Sequence, residues 1–178
     1  EIKVSRSIIS PMGETDKSKA VAEICGLLFA GKIDAAREIA QLKLPFEPIP
    51  KRVKRTREKS EAGPSPDIVA ARRVTNEKKL KVWQRDGFRC RYTGRRLVFP
   101  QTLELLSLVL PDELLYHNPP HGKHSRTHII MWELWPAIDH QVALCKHEIT
   151  ALANSIHNLV TASTLVNSEK WAYDLDYL

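Results

Sequence analysis

The sequence predicts an α+β fold, mostly helical, and three observations predict it. Four stretches space their apolar residues at helical intervals and are stopped by Gly or Pro. Phe88–Tyr92 and Arg95–Phe99 alternate around Thr93-Gly94, as the arms of a short hairpin would. Near the end, the apolar run Trp135-Pro136-Ala137-Ile138 leads into Asp139-His140-Gln141-Val142, and His157-Asn158-Leu159-Val160-Thr161-Ala162-Ser163-Thr164-Leu165-Val166-Asn167 follows. Those last two stretches read as two strands and a helix.

Taken in order, Ser10-Pro11-Met12-Gly13 is a turn, and Thr15 or Asp16 caps a helix running to about Ala30. Val21, Ile24, Cys25 and Leu28 share one face of it. Gly31-Lys32 breaks the helix, and Ile33 to Leu42 repeats the pattern until Pro45. The pair forms an N-terminal helical hairpin, residues 1–46, which needs a partner to pack on because two short helices bury little alone. Residues 47–73 read as a basic, proline-containing linker, and residues 74–178 as the main domain. Within it Thr75 caps a helix from Asn76 to Arg85, with Leu80 and Trp83 facing inward and Asp86-Gly87 as its stop. In the hairpin that follows, Arg89 and Arg91 alternate with Phe88, Cys90 and Tyr92, which makes one face basic and the other apolar. Pro100 opens a leucine-rich core helix to about Leu110, within a largely helical stretch near 100–135.

Charge narrows the partners. The 178 residues carry a net charge of +6, but residues 51–96 hold 16 Lys and Arg against 5 Asp and Glu, while the remainder holds 11 against 16. Lys51, Arg52, Lys54 and Arg55 begin a run with six basic residues in nine. That asymmetry points to a polyanion such as nucleic acid, with a solvated basic tether as the plain alternative. No run approaches the ~20 apolar residues of a membrane span. Glu1-Ile2-Lys3-Val4-Ser5 is no secretory signal and has no initiator Met, so a fragment or a partly ordered chain is expected. Cys25, Cys90 and Cys145 lie far apart, without a Cys-x-x-Cys pair, as expected of a reduced cytoplasmic protein.

His117, His121, His124 and His128 repeat at intervals of four, three and four, a spacing that invites a metal reading. Pro119, Pro120 and Gly122 forbid the continuous helix that would align them, and no carboxylate or cysteine lies among them. A polar loop is the better reading.

The chemistry gathers at Asp139-His140. Asn158 follows the histidine by eighteen residues, Asn167 comes nine later and Lys170 three after that. Together with Arg85-Asp86-Gly87-Phe88-Arg89-Cys90-Arg91-Tyr92-Thr93-Gly94 and Trp132-Glu133-Leu134-Trp135-Pro136, this pattern resembles the HNH endonucleases, in a bacterial branch with a helical insertion before the Asp-His pair. The resemblance covers roughly Val74 to Trp171. It implies a ββα-metal core in which His140 is the general base and Asn158 ties the loop that holds it. Asp139 and Asn167 would be the ligands of a Mg²⁺ or Mn²⁺ ion, an H-N-N variant of the motif. Lys170 would meet phosphate, and Arg89, Arg91, Arg95, Arg96 and the Lys51–Arg55 run would grip nucleic acid. Imidazole, with an ordinary pKa of ~6.5, can take a proton from water at neutral pH, and Asp139 can hold a hard cation.

Two departures shape the expectation. Thr93, Ser163 and Val166 stand where many family members carry zinc-binding cysteines, so a four-cysteine zinc site is ruled out and apolar packing must replace it. Ala143-Leu144-Cys145-Lys146-His147 stands where a Pro and Gly-Gly turn is usual. The expected function is a metal-dependent DNA endonuclease leaving 5′-phosphate and 3′-hydroxyl ends. A homodimer would be needed for cutting both strands. The competing readings are an inactive DNA-binding module of the same fold and an RNA-directed or toxin-type nuclease.

Overall fold

The computed structural model describes residues 16–49, 73–116, 126–142 and 154–170. The expected turn at Ser10–Gly13, the basic run Lys51, Arg52, Lys54 and Arg55, and three of the clustered histidines (His117, His121 and His124) lie outside them.

Helix α1 spans Lys17–Phe29, and its N-cap is Asp16, whose carboxylate accepts from the Ser18 amide at 3.2 Å. Helix α2 spans Ile33–Lys43 and returns against α1. Small Ala20, Ala36 and Ala40 are buried with Val21 and Ile24 between the two, which lets the helices approach closely. Helix α3, Asn76–Arg85, starts at Thr75, whose hydroxyl accepts from the Lys78 amide at 3.3 Å. Helix α4, Pro100–Val109, opens with proline in its first turn. One further turn, α5, spans Ile130–Glu133.

The main core joins α1, α2, α4 and α5. Leu103, Leu106 and Leu110 of α4 pack with Ile130, Met131 and Leu134, and all of them meet Val21, Ile24 and Leu44 from the N-terminal hairpin. Polar links reinforce the same junction: Lys17 bonds Glu133 at 2.7 Å, Arg37 pairs with Glu113 at 3.1 Å, and the Ile129 amide donates to the Glu47 carbonyl at 2.8 Å. Helix α4 is core on one side only, since Leu105 and Leu108 are 61% and 76% exposed.

A two-stranded antiparallel sheet, β1 Pro136–His140 and β2 Leu159–Ser163, runs directly into helix α6, Thr164–Lys170. Register places Asp139 opposite Val160 and His140 opposite Leu159. Every residue of β2 is buried, because the strand is covered on both sides. Its Thr161 carbonyl accepts from the Arg91 amide at 2.8 Å, and its Thr161 amide donates to Asp86 at the same distance.

The segment after α3 departs from expectation. Phe88–Tyr92 and Arg95–Phe99 do not form two strands; they meet in one bridge, Arg89 with Arg96, around a tight turn in which the Gly94 amide donates to the Cys90 carbonyl at 2.8 Å. Three residues bend the backbone: Gly87 and Phe88 have φ of 61° and 51°, and Gly94 has 68°. Glycine tolerates that left-handed conformation, whereas an extended strand does not contain it. The inward face of α3 also differs. Val82 is fully buried and Leu80 is 39% exposed. Among the described residues no helix is long and apolar enough to cross a membrane.

Candidate active site

Strand alternation sends Pro136, Ile138 and His140 to one face of β1 and Asp139 to the other. His140 therefore opens on a recess of about 320 Å³ that it lines with Ile138, Trp135, Thr164, and Lys79 and Trp83 of α3. Asp139 turns toward α6 and the Cys90 loop. The two chemically interesting neighbours thus serve separate compartments.

His140 is held from behind. Its Nε2 lies 2.9 Å from the Asn154 Oδ1, to which it donates. Asn158 closes the loop across the strand end: Oδ1 accepts from the Val142 amide at 2.9 Å and Nδ2 donates to the Val142 carbonyl at 3.2 Å. The Gln141 amide donates to the Asn158 carbonyl at 2.8 Å. The asparagine thus bonds the two residues that follow His140, Gln141 and Val142.

Helix α3 fixes the same loop from below. Lys78 donates to the Asn154 carbonyl at 3.0 Å, and Arg85 donates to the carbonyls of Ile156 and Leu159, each at 2.7 Å. Arg85 also forks onto Asp86. Burial pushes the Asp86 carboxyl up, but its hydrogen bonds with Arg85 and Thr161 outweigh that and hold it below its usual range.

Asp139 is buried and fully engaged on one oxygen. Its Oδ2 accepts from the Tyr92 hydroxyl and pairs with the Lys170 ammonium at 2.9 Å. Lys170 also donates to the His140 carbonyl at 3.0 Å, and its ammonium lies 5.7 Å from the centre of the Tyr92 ring. The Lys170 side chain has no exposure at all, and that of Asp139 has 7%. Burial raises the Tyr92 hydroxyl far above its ordinary pKa, and the adjacent Asp139 adds to the effect, so the phenol stays a donor.

The sequence-derived candidates therefore divide into groups. Asp139, His140, Asn158 and Lys170 come together at one end of the sheet. Asn167, three residues before Lys170 on α6, is half-buried on that side of the helix. Lys170 differs from expectation: it is enclosed and neutralised by Asp139 rather than displayed to a phosphate chain. Arg89, Arg91 and Arg96 are exposed around the Cys90 loop. Arg95 is half-buried and lies 3.6 Å from Glu133.

Tyr92, Asn154, Lys78, Arg85 and Lys79 were not legible as site residues. Tyr92 looks like one apolar position of a hairpin, and Asn154 lies in a stretch without periodicity. The basic spacing of α3 was a signal for the others, but a solvated helix face carries the same pattern. Where zinc cysteines are usual in the resembling family, Cys90 packs with Leu97 and Ala162, covered by Tyr92 and Val166. His128, the described member of the histidine cluster, is 2% exposed. Its Nδ1 accepts from the Ile130 amide and its Nε2 donates to the Leu44 carbonyl, both at 3.1 Å. Among the described residues no three His, Cys, Asp or Glu side chains are grouped to hold a metal ion.

Compared with known proteins, the chain matches no family model, no curated protein and no solved structure.

Proposed function

We propose that the chain is an endonuclease of the HNH type, cleaving DNA phosphodiesters at the recess on which His140 opens. The observation that carries this reading is the way the His140 loop is built. Asn154 holds the inner nitrogen of the imidazole, and Asn158 bonds both backbone groups of Val142, two residues further on. That arrangement spends two asparagines on orienting one histidine, which a merely structural surface histidine does not require.

In this reading the Nδ1 of His140 takes the proton from an attacking water, and the recess holds the phosphate against it. Lys79 lines the same recess and supplies positive charge for the developing negative charge on the phosphate oxygens. The exposed Arg89, Arg91 and Arg96, and the Lys51–Arg55 run beyond the described residues, would position the rest of the polyanion. Adjacent like charges on these groups are tolerable on a surface that meets phosphates.

The resemblance also implies Mg²⁺ or Mn²⁺ between Asp139 and Asn167. As arranged, these residues do not fit a divalent ion. Asp139 is the single anionic donor of the pair, its Oδ2 already accepts from Tyr92, and the Lys170 ammonium sits 2.9 Å from the same oxygen. A hard cation needs several oxygen ligands, and a fixed positive charge beside its one carboxylate opposes it.

The Lys170–Asp139 pair also favours a second reading, a DNA-binding module that keeps the fold without the reaction. Plasmid nicking with Mg²⁺ or Mn²⁺ separates the two. The nuclease reading expects nicking by the wild-type chain and a loss of about 10²–10⁴-fold in His140→Ala, the usual worth of a general base. Equal residual activity in the two proteins removes His140 from the role. Salt-sensitive DNA binding without cleavage under either cation supports the binding module.

A further inference from the structure

We infer that the recess beside His140 receives an unpaired nucleobase, stacked on tryptophan, while the phosphate next to that base lies against His140 and Lys79. The inference rests on the reading of the recess as a nucleic-acid site, and it names which part of the substrate enters.

Three observations carry it. First, the recess is larger than a phosphate needs: about 320 Å³, at the lower end of the ~300–1,000 Å³ range of pockets that enclose small organic ligands. Second, its wall is mostly carbon. Two indoles reach it, Trp83 from α3 and Trp135 at the entry to β1, beside Val74, Pro136 and Ile138. The Trp83 Nε1 is itself buried, so the part of that ring open to the recess is hydrocarbon. Such a wall offers an anion little, but it offers the flat face of a base a surface to stack on. Third, the described lining carries no carboxylate; its polar members are His140, Lys79 and Thr164. Nothing negative there opposes the phosphate that accompanies the base.

The aromatic walls are held in place by their own neighbours. Trp135 stacks on Tyr116 with ring centroids 5.2 Å apart, and its carbonyl accepts from the Thr164 amide at 2.9 Å and the Thr164 hydroxyl at 3.1 Å. Trp83 leans on Phe88 at 6.0 Å, and Phe88 meets Phe99 at 6.1 Å. Surfaces already fixed in position lose little freedom when a ligand ring lies on them. A base inside a duplex cannot reach such a surface, because its faces are stacked and its edge is paired. The nucleotide at the cut must therefore leave the stack, at a cost that is smallest for a base already unpaired. Every base has a π-face, so this recognition selects for unpairing rather than for sequence.

The test reads binding alone, on the full chain in EDTA. Fluorescence anisotropy compares three labelled duplexes of one sequence: fully paired, with a single bulged thymine, and with an abasic residue in place of that thymine. The bulged duplex is expected to bind roughly fivefold to a hundredfold tighter than the abasic one, the usual worth of one base–aromatic stack, and tighter than the fully paired one. Trp83→Leu is expected to lose most of that difference. Equal affinity of the wild-type protein for bulged and abasic duplexes overturns the inference, and so does a difference left intact in a folded Trp83→Leu. If the variant does not fold, the wild-type comparison decides alone. A bulge preference in a protein that never nicks DNA would reject the nuclease reading and leave this one standing. Nicking by a protein with equal affinities would do the reverse.

Discussion

His128 shows at the residue scale why a histidine in a suggestive cluster has to be placed before it is interpreted. Its two ring nitrogens are both committed to backbone groups, and Phe46 meets the ring edge-on with centroids 5.7 Å apart. Accepting at Nδ1 requires a neutral ring, and burial lowers its pKa below the ordinary value, with the Leu44 and Pro45 carbonyls opposing only in part. The sign follows from linkage. The unfolded chain binds a proton at His128 below about pH 6.5 and the folded chain resists it, so the contribution is complete above that pH and is lost as pH falls through the lower folded value. Urea midpoints measured between pH 7.5 and 5 are expected to fall for wild type, and to fall less for His128→Gln. Parallel curves for the two proteins would refute the assignment. His140 differs: its ring lines an open recess, and its Nε2 meets a side chain, Asn154, rather than the backbone. Sequence spacing points to His140 as the residue to examine, yet its partner Asn154 is invisible there, since a contact fourteen residues away across a loop leaves no local pattern.

Elements were the most legible level. Apolar spacing, with Thr75 as one cap and Thr15 or Asp16 as the other, places α3 and α1 almost to the residue, because capping chemistry is local; the structure selects Asp16. The Cys90 loop was not legible. Its alternation of arginine with Phe88, Cys90 and Tyr92 is what a strand shows, but the positive φ values at Gly87, Phe88 and Gly94 turn it into a knuckle held to β2 through Arg91 and Thr161. Inside that knuckle Cys90, Leu97 and Ala162 pack together with Tyr92 and Val166. The packing is apolar and Cys90 is its one soft ligand, so treatment with EDTA is expected to leave the melting temperature unchanged. A drop of several degrees, restored by Zn²⁺, would mean that a metal holds the knuckle after all.

At the scale of the whole molecule the N-terminal hairpin is the telling feature. Two short helices could be an appendage, but Val21, Ile24, Ala36, Ala40 and Leu44 share one core with Leu103, Leu106, Leu110, Ile130 and Met131. Deleting residues 1–46 would expose that apolar face of α4 and α5. Each large core side chain stripped of its partners costs about 1.5–3 kcal/mol, so a chain beginning at residue 47 is expected to be unfolded or aggregated. A cooperative thermal transition in that truncation, close to the full chain's, would contradict the shared core. The sequence could define the helices of this core but not their partners, because apolar periodicity says which face is buried and not what covers it.

The central claim is that the Asp139-His140 strand end, with its asparagine-tied loop, makes a phosphodiesterase site. The most direct test is single-turnover cleavage of an end-labelled duplex oligonucleotide in Mg²⁺ or Mn²⁺, with wild type and His140→Ala matched for DNA binding. The account predicts products with 5′-phosphate and 3′-hydroxyl ends from wild type, and a rate lower by about 10²-fold or more in the variant at unchanged DNA affinity. Equal rates for the two proteins, or binding with no cleavage by either, would contradict it.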